Sequence, residues 1–336
     1  YFRVKATDLA GNIAVSEVSE PIVIDSTAPT TPGLPSAGSQ WTNDTTPTWS
    51  WTQSVDNGVG LANIAYSVQW SQDTDFFGLG GSAGIPEATE YTIPDGLDMT
   101  DGTWYFRIKS IDSLSNESAW SSHGTVHIDT VSPVITLNGA STETIVQGTV
   151  YNDAGATAAD AAEGDVSLNL GTTNLVDSNT PGTYTVTYNA RDTAGNNALP
   201  AYRTVQVVSN TDLNGDGTAD ALQSNVSSYQ SAITGKTVLI DVGDGCDITT
   251  DDLILESDIE IDDPNFTYEN GLFDFAGDCG TPGFTTSVKL YYYGIPRGEL
   301  VGRKFNPNTQ RYSSIPGAII EETTINAAPV TILSYA

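Results

Sequence analysis

The chain has 336 residues, a length that suits two to four domains, and sets 42 acidic against 12 basic residues for a formal net charge of −30. A surface of that sign repels DNA, RNA and anionic membranes, which excludes nucleic-acid partners, and it attracts divalent cations and tolerates salt. No apolar run reaches the roughly 18 residues of a membrane-spanning helix, and the 32 glycines and 16 prolines favour short strands with many turns.

The chain opens inside a strand, "YFRVKA", so no secretory leader is visible and the true start is expected elsewhere. The turn "DLAGN" at 8–12 follows, and then a return strand, "EPIVID". The same order recurs without a gap at a shift of 104 residues: "YFRIKSIDSLSN" and "VHIDTVSP" overlie "YFRVKATDLAGN" and "IVIDSTAP". A looser copy, "YTVTYNARDTAGN", occupies 184–196. Such self-similarity marks tandem modules. Alternate residues are apolar in each copy (Phe2, Val4, Ala6; Trp104, Phe106, Ile108; Tyr184, Val186, Tyr188), the period of a strand with one wet face. Proline cannot continue a ladder, so "ID…P" at Asp25–Pro29 and Asp129–Pro133 closes a module.

Four pieces follow from this pattern: residues 1–25, the last two strands of an incomplete module; 26–130, a complete module; 131–209, a shorter one; and 210–336, a different β-rich domain holding both cysteines. One short helix is expected at 219–231, and the fold class is all-β. All six tryptophans lie in the second piece, and the shared faces of Trp49 and Trp51, and of Tyr66, Val68 and Trp70, favour core packing over a carbohydrate-stacking platform. Phe76 and Phe77, in the Gly-rich "DFFGLGG", are the candidates for an exposed contact with a ligand or partner, glycans included, although a buried edge is the favoured reading even there.

Residues 26–130, through "PTWSW", "YSVQW" and "WYFRIKSID", resemble the fibronectin type III-like and bacterial immunoglobulin-like repeats of long secreted surface proteins. Residues 133–208 are similar to a bacterial immunoglobulin-like family along the whole module, through "NTPGTYTVTYNARDTAGNNA" and its flanks. Residues 210–336 resemble the choice-of-anchor U domain through "DLNGDGTADALQSNV", "GCDITT", "YENGLFDFAGDCGTPGFTTSVKLYY" and "KFNPNTQRYSSIPGA". These resemblances imply tandem immunoglobulin-like β-sandwiches, an extracellular or cell-surface location, and a terminal domain that precedes a sorting signal. Family members continue past the equivalent of "TILSYA", so the chain is expected to be a segment of a larger polypeptide. In an exported chain Cys246 and Cys279 are expected to form a disulfide worth about 3–4 kcal/mol.

In a sandwich of this kind the Asp-to-Asn turn and the loop between the second and third strands reach the same end of the module. The incoming linker delivers a further acid there. The expected clusters are therefore Asp25 with Asp56, Asn57, Asp112 and Asn116, and Asp129 with Asp160, Glu163, Asp165, Asp192 and Asn196; Asp8 and Asn12 form the first copy. Calcium takes six to eight oxygens from a flexible shell, which converging loops supply. Asp and Asn also favour tight turns through local hydrogen bonds, so the turn role stands beside the metal role. "DLNGDGTAD" offers Asp212, Asn214, Asp216 and Asp220 in the alternating rhythm of a calcium loop, although Gln223 stands where an EF-hand has glutamate.

No catalysis is read here. Zinc-protease and phosphate-loop motifs are absent, and His123 and His127, read on one strand, lack zinc partners. The acidic pairs Asp251/Asp252 and Asp262/Asp263 are read as solvated loops rather than glycosidase carboxylates. Three functions are expected in descending order. The first is a structural and adhesive segment of a bacterial surface protein with Ca2+-stiffened joints, whose partners are other copies or neighbouring surface domains. The second is a fibre subunit that donates the strands of residues 1–25. The third is a set of accessory modules of a secreted hydrolase.

Overall fold

A computed structural model describes residues 1–232, 234–254, 266, 272–281, 284–306, 309 and 311–336. These residues are strand and turn almost throughout, and the chain is all-β as expected. Their helical pieces are three-residue turns, and none of their helices is long and apolar enough to cross a membrane. The short helix expected over 219–231 does not form: Asp220–Leu222 is a single 3-10 turn and Val226–Gln230 is a strand. A short segment carrying several serines is a weak helix, whereas pairing with Thr237–Asp241 satisfies its backbone at once.

The chain forms two compact units: residues 1–138, 155–172 and 187–201 in the first, and 139–154, 173–186 and 202–336 in the second. The segment 131–209 thus contributes to both.

The first unit begins with an antiparallel hairpin, β1 (Lys5–Thr7) and β2 (Ile13–Val15). Every residue from Tyr1 to Ile24 is exposed, including Phe2, Ile22 and Ile24, whose equivalents Phe106, Val126 and Ile128 are buried. The alternation of Phe2, Val4 and Ala6 therefore covers no core here, because among the described residues no facing sheet packs on this hairpin.

Residues 26–130 contain β3 (Trp41–Thr42), β4 (Thr48–Ser50), β5 (Leu61–Ser71), β6 (Leu79–Ile85), β7 (Glu90–Thr92), β8 (Gly102–Asp112) and β9 (Gly124–Ile128). Five strands form one sheet in the order β3-β9-β8-β5-β6, antiparallel except for the parallel β3–β9 pair, and β4 and β7 form the facing sheet. The sheets meet where Trp49 of β4 stacks on Phe106 of β8 with ring centroids 4.9 Å apart. Trp51, Tyr66, Val68, Trp70, Trp104 and Ile108 fill the rest of this core, which settles the tryptophan spacing in favour of packing. His127 lies in β9, and His123 just precedes that strand.

The edge strand β6 approaches this core closely enough to require glycine: a Cβ on Gly81 would stand 2.0 Å from the Trp70 ring. The first unit is completed by a three-stranded sheet of β10 (Val134–Leu137), β12 (Ala156–Asp160) and β13 (Gly164–Asp165), over a small core of Ala158, Val166, Ala190 and Ala198. β11 (Thr142–Val146) belongs to the second unit.

In the second unit β11 lies parallel to β16 (Ala201–Val208), in a sheet continued by β15 (Gly182–Asn189) and β14 (Gly171–Asn174), both of which pass from one unit to the other along their length. The C-terminal region holds β17 (Val226–Gln230), β18 (Thr237–Asp241), β19 (Asp247–Ile254), β20 (Leu272–Asp278), β21 (Val288–Tyr293), β22 (Arg303–Asn306), β23 (Arg311–Ser314), β24 (Ile319–Ile325) and β25 (Ala328–Tyr335). Its main sheet is antiparallel in the order β17-β18-β21-β25-β24, beside the hairpins β19–β20 and β22–β23. Cys246 and Cys279 are disulfide-bonded and sit in the core with Ile240, Val242, Leu290 and Leu333. Asp251 and Asp252 are consecutive residues of β19 and not of a loop, so they point to opposite faces and form no carboxylate pair. Asp262 and Asp263 lie outside the described residues.

Gly81→Ala should destabilise the tryptophan-rich sandwich by about 1–3 kcal/mol, the cost of overpacking a filled core. Because all six tryptophans lie in residues 26–130, denaturation followed by tryptophan fluorescence measures this directly.

Candidate metal centres

The three Asp-to-Asn turns share one hydrogen-bond pattern. In each, the Asp backbone N–H donates to the Asn carbonyl, at 3.0 Å in 8–12 and 3.1 Å in 112–116 and 192–196. The Asn backbone N–H donates back to Asp Oδ1 at 2.8, 2.8 and 2.7 Å, and Asn Nδ2 donates to Asp Oδ2 at 2.8, 2.7 and 2.8 Å. The fourth position has positive φ in every copy: Gly11, Ser115 and Gly195. The pairing is thus a clasp that closes a hairpin. It forms fully exposed at Asp8, where the hydrogen bonds from Asn12 are the chief cause holding the carboxyl below the ordinary Asp value.

The later two clasps also reach outward. Asn116 Nδ2 donates to the Asp25 carbonyl at 3.1 Å, and Asn196 Nδ2 to the Asp129 carbonyl at 2.8 Å. Each asparagine pins the incoming linker to the turn through its amide nitrogen. The linker acid is thereby brought beside the clasp acid, and the second loop supplies a third. Among the described residues two groups of three carboxylates result, Asp25/Asp56/Asp112 and Asp129/Asp160/Asp192, each with ligand oxygens within 4.8 Å of one another.

The Asp129 group is the more enclosed, with residue exposures of 1%, 6% and 5%. One oxygen of each acid is held by nearby backbone N–H groups: Asp129 Oδ1 by Val131, Asp160 Oδ1 by Ala162 and Glu163, and Asp192 Oδ1 by Gly195 and Asn196. Asp129 Oδ2 and Asp160 Oδ2 are buried without a hydrogen-bond partner. The salt bridges among the described residues engage other acids, namely Glu117, Glu143 and Asp153. At an effective dielectric of about 20, each pair of charges at this spacing repels by on the order of 3 kcal/mol. Burial, opposed by the Val131 hydrogen bond and reinforced by the charges of Asp160, Asp192 and Asp101, lifts the Asp129 carboxyl above the ordinary Asp value.

The Asp25 group is looser. Asp112 is buried, whereas Asp25 and Asp56 are half-buried, and Asp56 Oδ1 is the one oxygen there that is enclosed without a partner. Val59 N–H donates to Asp25 Oδ2, and Gly58 and Gly60 N–H donate to Asp56 Oδ2. Asn57 is exposed.

Other expected residues lie apart from both groups. Asp165 is exposed and accepts from Ser167, chiefly through hydrogen bonds that hold its carboxyl low. In the 212–220 loop, Asp212 accepts from Gly215 and Gly217, Asp216 from Thr218, Asn214 and Gln223, and Asp220 through both oxygens from Leu213. Its carboxylate oxygens therefore serve the loop's own donors, and its acids are not among the groups of three. Phe76 is buried, with the Arg107 guanidinium 4.1 Å above its ring, while Phe77 is 90% exposed, so the two do not form a joint exposed platform. Sequence reasoning missed Asn43, whose backbone N–H donates to the Ala194 carbonyl at 3.0 Å and whose Nδ2 donates to Asn196 Oδ1 at 3.1 Å. Its only signal is tertiary: it follows β3, which lies parallel to the strand leading to Asp129.

Residues 135–207 match the model of a family described as bacterial surface protein, Ig-like domain. No curated protein matches the chain. Among solved structures, human cardiac titin module A71 is 18% identical over 29% of this chain and 89% of its own, with a TM-score of 0.23. The fibronectin(III)-like modules of Clostridium thermocellum CbhA are 15% identical over 51% and 90%, with a TM-score of 0.28. The chicken CNTN1 FN1–FN3 domains are 11% identical over 78% and 93%, with a TM-score of 0.22. At such values these likenesses carry no argument about what this chain does.

The raised carboxyl of Asp129 sets a pH dependence in chelator. Above its folded-state pKa the ionised group costs stability, and as pH falls through that value the folded state takes up the proton first and gains stability. Thermal scans from neutral pH down to about pH 3 should therefore show a local rise in Tm, reversed when acids held low, such as Asp112 and Asp216, protonate. Asp129→Asn should remove the rise.

Proposed function

We propose that this chain is a structural segment of a bacterial surface protein, in which immunoglobulin-like sandwiches act as spacers and Ca2+ stiffens the joint at Asp129. The match of residues 135–207 to a bacterial surface family supports the extracellular setting. The observation that carries the metal reading is the buried trio Asp129, Asp160 and Asp192 with two unpartnered oxygens. Oxygens about 2.4 Å from one ion stand no more than about 4.8 Å from each other, and the oxygens of this trio lie within that limit. An all-oxygen, multiply anionic donor set suits a hard cation, and flexible loops suit calcium better than magnesium's strict octahedron. Bound calcium would offset the mutual repulsion and tie the linker to two loops. The role needs no chemical step, and neighbouring surface domains or other copies are the natural partners. The anchoring role of residues 210–336 rests on their sequence motifs alone.

Titration calorimetry should find calcium binding to the wild-type chain and none at this site in Asp160→Asn. Saturation at 100 times Kd should stabilise the wild type by about 2.7 kcal/mol, with no gain in the variant. A wild-type chain that neither binds calcium nor melts higher in it would discard the reading.

A second reading rests on residues 1–25, whose Phe2, Ile22 and Ile24 are exposed while their repeat equivalents are buried. Residues 1–25 would then complete the open sheet of another copy and build fibres. Sedimentation should show concentration-dependent growth that is lost in Phe2→Ser/Ile24→Ser; a monomer at every concentration removes this alternative.

A further inference from the structure

The trio at Asp129 draws on more chain than its three acids, and this inference rests on the calcium reading above. Asp129 is the last acid of the 26–130 segment, while Asp160 and Asp192 come from the segment that follows. Two residues outside the trio fix where those acids stand. Glu163 accepts from the backbone N–H groups of Thr193 at 2.9 Å and Ala194 at 3.2 Å through Oε1, and from Thr193 again through Oε2 at 3.1 Å. It therefore joins the loop of Asp160 to the turn of Asp192. Asn43 holds the same turn from the preceding sandwich, through its backbone N–H to the Ala194 carbonyl and through Nδ2 to Asn196 Oδ1. Asn196 in turn holds the Asp129 carbonyl. Asp129 N–H donates to the Thr42 carbonyl, so the corner at 42–43 grips both the linker and the turn.

We propose that Asn43 and Glu163 are positioning residues of a two-segment cation site, so that calcium affinity and the docking of the 42–43 corner on the 192–196 turn are thermodynamically linked. Neither residue offers an oxygen to the cluster in this arrangement. Asn43 is exposed, and the Glu163 carboxylate is occupied by two backbone donors. Linkage is reciprocal: whatever holds the corner against the turn raises affinity for the ion, and the ion holds the corner in place by the same factor. A site formed by the later segment alone would ignore the identity of residue 43.

The full chain tests this with calcium as the probe. Asn43→Ala should weaken calcium binding by roughly 3–10-fold, the scale of one lost hydrogen bond, while Tm in chelator changes little. Calcium should slow hydrogen exchange of the Asn43 amide in the wild type, and less so in Glu163→Ala. Glu163→Gln keeps an acceptor for Thr193 and Ala194 and should bind calcium within about 3-fold of wild type, whereas Glu163→Ala should lose about as much as Asn43→Ala. Were Glu163→Gln as damaging as Asp160→Asn, Glu163 would be a ligand and the assignment would fall. Unchanged affinity in Asn43→Ala, with binding still abolished in Asp160→Asn, would overturn the linkage and leave the calcium reading intact. Absence of calcium binding in the wild type would overturn both.

Discussion

Three carboxylates with oxygens within 4.8 Å of one another and almost wholly buried repel one another, and a cation bound among them would offset that repulsion. The fold nevertheless places Asp129, Asp160 and Asp192 together, each held through one oxygen by backbone N–H groups of its own loop. The local bonds are short-range and satisfied, and the repulsion is the residue of putting three such loops at one end of a sandwich. The proposed response of the joint to cations rests on that tension.

The Asp-to-Asn clasp has two separable jobs. Its inner bonds close a hairpin and repeat at all three sites within a tenth of an ångström or so. Its outer bond, from Asn Nδ2 to a linker carbonyl, is made at Asn116 and Asn196. At Asp8 the inner bonds form outside either group of three carboxylates found among the described residues. The motif is therefore a turn device first, and it becomes part of a candidate metal centre only by company. The looser Asp25 group and the enclosed Asp129 group differ in the same way. The preceding sandwich adds Asn43 and the Thr42 carbonyl at the second joint.

The rest of the architecture keeps these ends in place. The 26–130 sandwich that carries the 42–43 corner is packed around stacked aromatics, with Trp49 on Phe106 and Trp70 against the glycines of β6. The C-terminal region is built differently, around a five-stranded antiparallel sheet and the Cys246–Cys279 bond, and its Asp-rich loop turns its oxygens on its own backbone.

Period-two alternation and the 104-residue repeat are patterns of sequence, so the all-β fold and the tryptophan core could be read from the residues, whereas the convergence of Asp25 with Asp112, and of Asp129 with Asp192, followed from the resemblance to immunoglobulin-like sandwiches. The helix expected at 219–231 failed because a pairing partner from Thr237–Asp241 outbid a weak local preference. Phe76 and Phe77 look alike in one dimension, yet Arg107 covers one ring and leaves the other in water. Asn43 carried no local mark at all. Which oxygens end up buried without a donor, and which distant side chain holds a turn, depend on how loops far apart in the chain meet in space. That meeting is set by packing and strand register, which no stretch of neighbouring residues encodes.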